Sequence, residues 1–238
     1  MKVEAHIIAW NESETIHLTI KYYQHFCSRI IIYDNFSTDN TREIAEALGC
    51  EVKMFGISGV LDDREYTKLK NSCWKGSDAD WVIIVDTDEV LNISEVALLS
   101  AREMGYTIIK PQGWQVVSQD VPREAWGEIT TGFAYDQYSK LCCFNPKAIK
   151  EINYVHGCHV AKPKGEAKQI EIGTLFHYRK IGGVQRMIDR YKLYCQRMSE
   201  WNIRWDAGEH YRREEKRLRA EWQQEYEQSG EYFSPGTE

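Results

Sequence analysis

The chain has 238 residues, 42% of them apolar and 12% aromatic, which is enough to bury the core of one large domain. Thirty basic residues against 36 acidic ones leave a formal charge of -6, which excludes a general nucleic-acid binder whose affinity comes from neutralising phosphates. Seven scattered cysteines with no Cys-x-x-Cys pair exclude the usual zinc and dithiol motifs, and no apolar run reaches membrane length. With thiols expected to be reduced and no long signal-peptide core, the expected location is cytoplasmic.

In chain order, apolar runs alternate with helix-like stretches through the first half, the pattern of a mostly parallel sheet with crossover helices. Strands are expected at 4–9, 29–33, 51–55 and 81–85. Between them, 13–26 carries Ile16, Ile20 and Tyr23 at helical spacing after Ser13 and Glu14, which suit a helix start. Residues 41–48 repeat the design with Gly49 as a stop, and 63–76 places Tyr66, Leu69 and Cys73 three and four apart. Later strands are expected at 106–111, 139–144 and 174–177, with a long aromatic-rich connection over 113–138 of the kind that forms lids and binding loops. Residues 182–201 read as a helix, and 209–228 as a protruding amphipathic helix striped by Leu218, Trp222 and Tyr226 before a frayed tail. This divides the chain into a domain at 1–205 and a charged helix and tail at 206–238. Residues 179–219 hold twelve Lys or Arg against six Asp or Glu, so this limb is basic while the rest of the chain is acidic. Contact with anionic lipid at the inner membrane face, or homo-oligomerisation through the helical stripe, is expected of it.

The chemistry gathers at strand ends. Residues 81–91 read Trp-Val-Ile-Ile-Val-Asp-Thr-Asp-Glu-Val-Leu, and a buried strand carries alternate carboxylates, Asp86 and Asp88, only where a cation or hydrogen-bond donors offset the cost. The first strand ends in Trp10-Asn11-Glu12 and the second in Asp34-Asn35-Phe36-Ser37. Open parallel sheets bind ligands at the carboxyl ends of their strands, so these residues, with Thr87, are expected to converge on a nucleotide and a divalent ion.

The blocks Ile-Ile-Ala-Trp-Asn-Glu-Ser, Ile-Ile-Ile-Tyr-Asp-Asn-Phe-Ser-Thr-Asp-Asn-Thr and Val-Ile-Ile-Val-Asp-Thr-Asp-Glu-Val-Leu, in that order, resemble glycosyltransferase family 2 and its relatives with the GT-A fold, over roughly the first 110 residues. The resemblance implies an α/β, Rossmann-like mixed and mostly parallel sheet flanked by helices, here with a C-terminal helical extension. It implies that Asn11 and Glu12 line the nucleotide site, Asp34 reads the base, and Asn35 and Ser37 shape the loop. By the same resemblance Asp86 faces the ribose and Asp88 is the metal ligand. The helix before the aspartates supplies a side chain to the nucleotide in that family, and Arg64 is preferred to Lys68 because a guanidinium suits bidentate contact. His177, in Leu-Phe-His-Tyr-Arg, matches the family's closing block and is expected to join Asp88 on Mn2+ (or Mg2+), with His159 next. Lys140 and Arg179 are expected to neutralise the departing diphosphate.

For a base near the acceptor hydroxyl, Asp136 is the best-anchored acid of the long loop, since the family's usual Glu-Asp pair is absent. The function this implies is transfer of a sugar from a nucleoside diphosphate, UDP-sugar first, to a glycan or glycolipid hydroxyl. Three other readings compete. Asp86-Thr-Asp-Glu-Val also fits a haloacid dehalogenase-type phosphatase, although that motif should open the domain. A nucleotidyltransferase should carry a Gly-rich basic loop near its N-terminus, and a non-catalytic nucleotide-binding scaffold has no need of the aspartates. Blander roles stand beside these: Ser13 and Asp39 as helix caps, Arg64 on a solvated helix face, and the histidines as satisfied core residues.

Overall fold

The structure, a computed structural model, describes residues 1–232; the remainder of the expected frayed tail lies outside the described residues. The N-terminal half follows the alternation of the sequence: β1 (Val3–Ala9), α1 (Ile16–Gln24), β2 (Arg29–Asp34), α2 (Thr41–Ala47), β3 (Glu51–Met54), α3 (Asp63–Ser72) and β4 (Trp81–Asp86). β1 is buried along its whole length, because both faces of the sheet are covered. α1 starts later than expected, since Glu12 first closes a turn in which its carbonyl accepts from the backbone N–H groups of Thr15 and Ile16. α3 is capped by Asp62, whose side chain accepts from the Arg64 N–H.

Beyond β4 come β5 (Glu89–Asn92), α4 (Glu95–Glu103), β6 (Ile108–Val117), β7 (Gly132–Ala134), β8 (Cys143–Phe144), β9 (Ile149–Glu151), β10 (Lys164–Gly165) and β11 (Gln169–Lys180). The main sheet runs β3-β2-β1-β4-β8-β6-β11-β5, with β7 paired to β6. β3, β2, β1 and β4 are mutually parallel, as are β6 and β11, whereas β8 is antiparallel to β4 and β6, and β5 to β11. A parallel β3-β2-β1-β4 unit with crossover helices, continued by antiparallel strands, is the Rossmann-like GT-A arrangement that the resemblance implies. α1 and α4 close one face of the sheet and α3 the other.

The C-terminal part departs from expectation. The helix expected at 182–201 divides into α5 (Gly183–Arg197) and α6 (Glu200–Arg204), because Met198 turns extended and bridges to Leu61 while Ser199 caps α6. A single 3-10 turn, Glu209–Arg212, precedes α7 (Glu215–Gln228). α7 does not protrude. Leu218 and Trp222 are 5% and 1% exposed and pack with Val117, Met187 and Tyr191, so the stripe expected to meet a second copy is spent within the chain. Only Tyr226 of that stripe is exposed, stacked 5.0 Å from Trp222. Trp126, from the aromatic connection, is likewise core: it stacks 4.3 Å from Tyr178 and donates to the Thr19 hydroxyl at 3.1 Å. Among the described residues no helix is long and apolar enough to cross a membrane.

Candidate active site

A cavity of about 560 Å³ opens where β1 and β4 end, with α5, the Glu209–Arg212 turn and α7 on its far side. Trp10, Glu12, Thr87, Lys140, His177 and Arg179 line it, as do Asp86, Asp88 and His159. Its charges are arranged in pairs. Lys70, reaching in from α3, donates to Asp86 at 2.9 Å. Arg179 of β11 donates to Asp88 at 2.6 Å, and the same guanidinium donates to the Tyr211 hydroxyl at 2.9 Å. Arg190 of α5 binds Glu12 and donates to Tyr194 at 2.7 Å, while Lys140 binds Glu89 beneath the cavity. Away from bulk water such pairs interact more strongly than on an exposed surface, which offsets the cost of burying these charges.

The protonation states follow. Burial opposes the charge on Asp86 and Asp88, yet the cations outweigh it, Lys70 then Lys140 for Asp86 and Arg179 for Asp88, holding Asp86 below and Asp88 well below the carboxylate range. Burial likewise opposes the charge on Lys70, and Asp86 overcomes it and raises the Lys70 pKa. Glu12 is shifted upward by burial despite Arg190. Burial also holds His177 well below the ordinary histidine value, so its imidazole is neutral and available as a ligand. Asp63, at the cavity wall, differs from the other acids: its carboxylate accepts from the Asn202 amide at 3.0 Å, and burial raises its pKa.

Of Asp88's two oxygens, Oδ2 is held by Arg179, and Oδ1 is buried without a hydrogen-bond partner among the described residues. His177 Nδ1 faces the Gln115 side-chain oxygen at 3.3 Å, which leaves Nε2 for a ligand. Asp88 and His177 therefore fit a divalent ion whose remaining ligands would be phosphate oxygens. The three-ligand set with His159 is not assembled, since among the described residues no three His, Cys, Asp or Glu side chains come together. His159 instead faces the Gln137 carbonyl at 3.0 Å, and the ring of Tyr138 packs against both imidazoles, 4.0 Å from His177 and 5.7 Å from His159.

Several expected contacts are moved or replaced. Asn11, at φ 51°, and Ser37 interlock two loops: the Asn11 N–H donates to Ser37 Oγ at 2.9 Å and its side-chain oxygen accepts from the Thr38 N–H at 2.8 Å. Asp34 and Asn35 are buried behind Trp10 and do not line the cavity; Asn35 donates to the Phe55 carbonyl at 3.0 Å and accepts from Tyr66 at 3.2 Å. Arg64 is a correction, because it points away from the aspartates, pairs with Asp62 at 2.6 Å and lies over Trp201 in a separate groove. Lys70 is the cation α3 delivers, two turns further on. Asp136 is a second correction. It is exposed on a 3-10 turn, Asp136–Tyr138, whose Gln137 and Tyr138 face the cavity while Asp136 does not. Lys140 reaches the cavity but is bound to Glu89, so it supports Asp86 from below. The sequence reading missed Arg190 and Arg197, although Arg190, Tyr194 and Arg197 recur four and three apart, a single face of α5.

No family model matches the chain. Over 93 residues it is 32% identical to an uncharacterized glycosyltransferase of Rickettsia bellii, a match covering 38% of this chain and 29% of that protein. A protein of the same name from Rickettsia prowazekii matches at 32% over 91 residues, again covering 38% and 29%. The chain thus spans less than a third of the length of these curated relatives, and its resemblance to glycosyltransferases is shared with proteins that bear that name. Among solved structures, TarS of S. aureus is similar with a TM-score of 0.44 and 18% identity, over 62% of this chain and 29% of that one. Glucosyl-3-phosphoglycerate synthase from Mycobacterium tuberculosis, in complex with Mn2+, UDP and glucosyl-3-phosphoglycerate, gives 0.35 and 17% over 47% and 44%.

Proposed function

We propose that the chain is a glycosyltransferase that moves a sugar from a nucleoside diphosphate, UDP-sugar first, to a hydroxyl of a glycan or glycolipid. The observation that carries this reading is the partnerless Asp88 Oδ1, buried beside Arg179 and His177 where β4 opens into the cavity. Asp88 and His177 are the residues that would hold Mn2+ or Mg2+, which as a Lewis acid would offset charge on the diphosphate. Lys70 and Arg179 stand beside the same carboxylates and can turn from them to phosphate oxygens, so the charge developing on the leaving group meets preorganised cations. Tyr191 and Tyr194 of α5 line the opposite wall with aromatic surface suited to packing against a sugar. A phosphatase of the haloacid dehalogenase type is the weaker reading, because its paired aspartates would close the first strand and here they close β4.

The test is thermal unfolding with UDP, UDP-sugars and other nucleoside diphosphates, each with and without Mn2+. A donor at 100 times its Kd should stabilise the chain by about 2.7 kcal/mol, and more with the metal than without. No stabilisation by any nucleoside diphosphate in either condition overturns the proposal.

A further inference from the structure

Gln115, on β6, is a polar residue among buried neighbours: it is 2% exposed, and Val116 and Val117 beside it are fully buried. β6 and β11 run parallel with Gln115 and His177 as direct partners in the register, and both residues line the cavity. A buried primary amide brings two N–H donors and one acceptor oxygen, and each needs a partner. Nε2 donates to two backbone carbonyls, that of His177 at 3.1 Å and that of Val116 at 2.6 Å. Only a donor can satisfy carbonyl oxygens, so the amide cannot be turned around, and Oε1 is the atom that faces His177 Nδ1 at 3.3 Å.

This orientation selects one form of the neutral imidazole. Were the ring proton on Nε2, the lone pairs of Nδ1 and Oε1 would face each other, and both atoms would be buried without a bond. With the proton on Nδ1 the hydrogen bond forms and Nε2 keeps its lone pair. Gln115 thus grips one residue at two points, the carbonyl and the ring. The Tyr138 ring, 4.0 Å away and inclined by 27°, lies against the imidazole and restrains its plane. A divalent ion takes an imidazole only through a bare ring nitrogen, so the partner of the other nitrogen decides whether the ligand is ready.

We propose that Gln115 is a positioning residue of the metal site, holding His177 in the Nδ1–H tautomer so that Nε2 is the nitrogen presented to the ion. The inference rests on the reading of Asp88 and His177 as the residues that hold Mn2+ or Mg2+. It adds a requirement which that reading does not contain: the site weakens without Gln115 even when both ligands are intact.

The test compares the full chain with Gln115→Met, which removes the acceptor, and Gln115→Glu, which keeps an acceptor for Nδ1–H and loses the amide donors. The tautomer is read in the metal-free protein from the nitrogen NMR shifts of the ring, with His177 assigned by its loss in His177→Phe, and Mn2+ uptake is measured by calorimetry with UDP present. The unaltered chain and Gln115→Glu should both show a protonated Nδ1 and a bare Nε2, and both should take up Mn2+. Gln115→Met should lose the Nδ1–H state and bind Mn2+ about 10–100-fold more weakly. Melting temperatures of the metal-free proteins separate this from a role in folding alone: both variants lose the amide's bonds to the Val116 and His177 carbonyls, so a purely structural role would weaken Mn2+ binding in both. An Nε2–H tautomer in the unaltered chain, undiminished Mn2+ binding by Gln115→Met, or equal weakening in the two variants overturns the inference while leaving donor binding intact; the first of these needs no variant. Failure of the unaltered chain to take up Mn2+ with UDP present removes the metal reading and this inference together.

Discussion

The carboxylates at the strand ends of the cavity come from the N-terminal half of the chain, and most of their counter-ions come from the C-terminal half, which also lines the far side with its own pairs, Glu225 with Lys180 and Glu221 with Arg213. Glu12 follows β1, and Asp86 and Asp88 end β4; Arg179 lies on β11 and Arg190 on α5, with only Lys70 contributed from the acidic side's own helix. The basic limb at 179–219 contributes Arg179 and Arg190 to these carboxylates, while Arg186, Lys192, Arg212 and Arg219 pair elsewhere. Neither stretch alone closes the cavity, so the site is complete only with both in place. Counter-ions that are side chains can also change partner when an anion arrives, which apolar packing cannot do.

The strongest way to break this comparison is Asp88→Asn. The change keeps the shape of the side chain but removes the charge that Arg179 faces, together with the free oxygen. Transfer from a nucleotide-sugar donor should fall by about a thousandfold, as for loss of a principal charge-stabilising group. Chemical denaturation should show a stability loss of about 3 kcal/mol from the arginine left unmatched. Turnover within tenfold of the unaltered chain would show that the acidic half does not carry the chemistry.

Trp222→Ala addresses the basic half in the same way. Its indole is 1% exposed and donates to the Lys180 carbonyl at 3.2 Å, so it fixes α7 to the strand that carries Arg179. Truncation should cost about 3–5 kcal/mol and lower the melting temperature by roughly 10 °C for a chain of this size. A drop under about 2 °C would return α7 to the protruding appendage that its charged sequence suggested.

The two halves also differed in how much could be read from the sequence. β1 through β4 announce themselves because their alternation is local: apolar runs, helical spacing and caps lie within each segment, and Asp86 and Asp88 stand out because they interrupt an apolar strand. The second half hides its logic in pairings between distant residues. β5 and β8 are short strands whose partners are 85 and 60 or so residues away by register, as in Leu91 with Leu175 and Cys143 with Ile83. Arg64 is preferred to Lys68 on its chemistry, but the direction of α3 decides the matter and selects Lys70, which the sequence reading did not weigh. Asp62 takes Arg64 as its own partner at the cap, while Lys70 faces the sheet. α7 looked solvated because its apolar positions are few; Leu218 and Trp222 suffice when the opposing surface is apolar.

A smaller effect separates the halves by pH. His6, buried on β1 with its ring 3.2 Å from the Tyr33 hydroxyl, has its pKa lowered by burial from the ordinary 6.5 to about 4. Its folded pKa lies below its unfolded one, so it costs nothing above pH 6.5. As pH falls from 6.5 toward 4 the unfolded chain takes up a proton that the folded chain refuses, and stability declines by up to about 3 kcal/mol. Urea midpoints across that window should show the decline, and His6→Phe should make it shallower without abolishing it, because His177 is depressed in the same direction. An unchanged slope would mean that the acid sensitivity resides in the C-terminal half.

The smallest expected effect belongs to Asp136→Asn. Asp136 belongs to the loop between β7 and β8, beside two residues that do reach the cavity, and its neighbours fix the turn for it: the Tyr135 N–H donates to the Gly113 carbonyl at 2.9 Å, and the Gly113 N–H donates to Ser139 Oγ at 2.9 Å. With Gln137 and Tyr138 turned inward, Asp136 is left facing solvent, and an exposed carboxylate there can neither take a proton from an acceptor in the cavity nor organise those that do. Its replacement should leave the rate within twofold and stability within about 0.5 kcal/mol. A tenfold loss of rate with the fold intact would mean that the turn reverses when an acceptor binds, and the covering wall would then be the mobile part of the site.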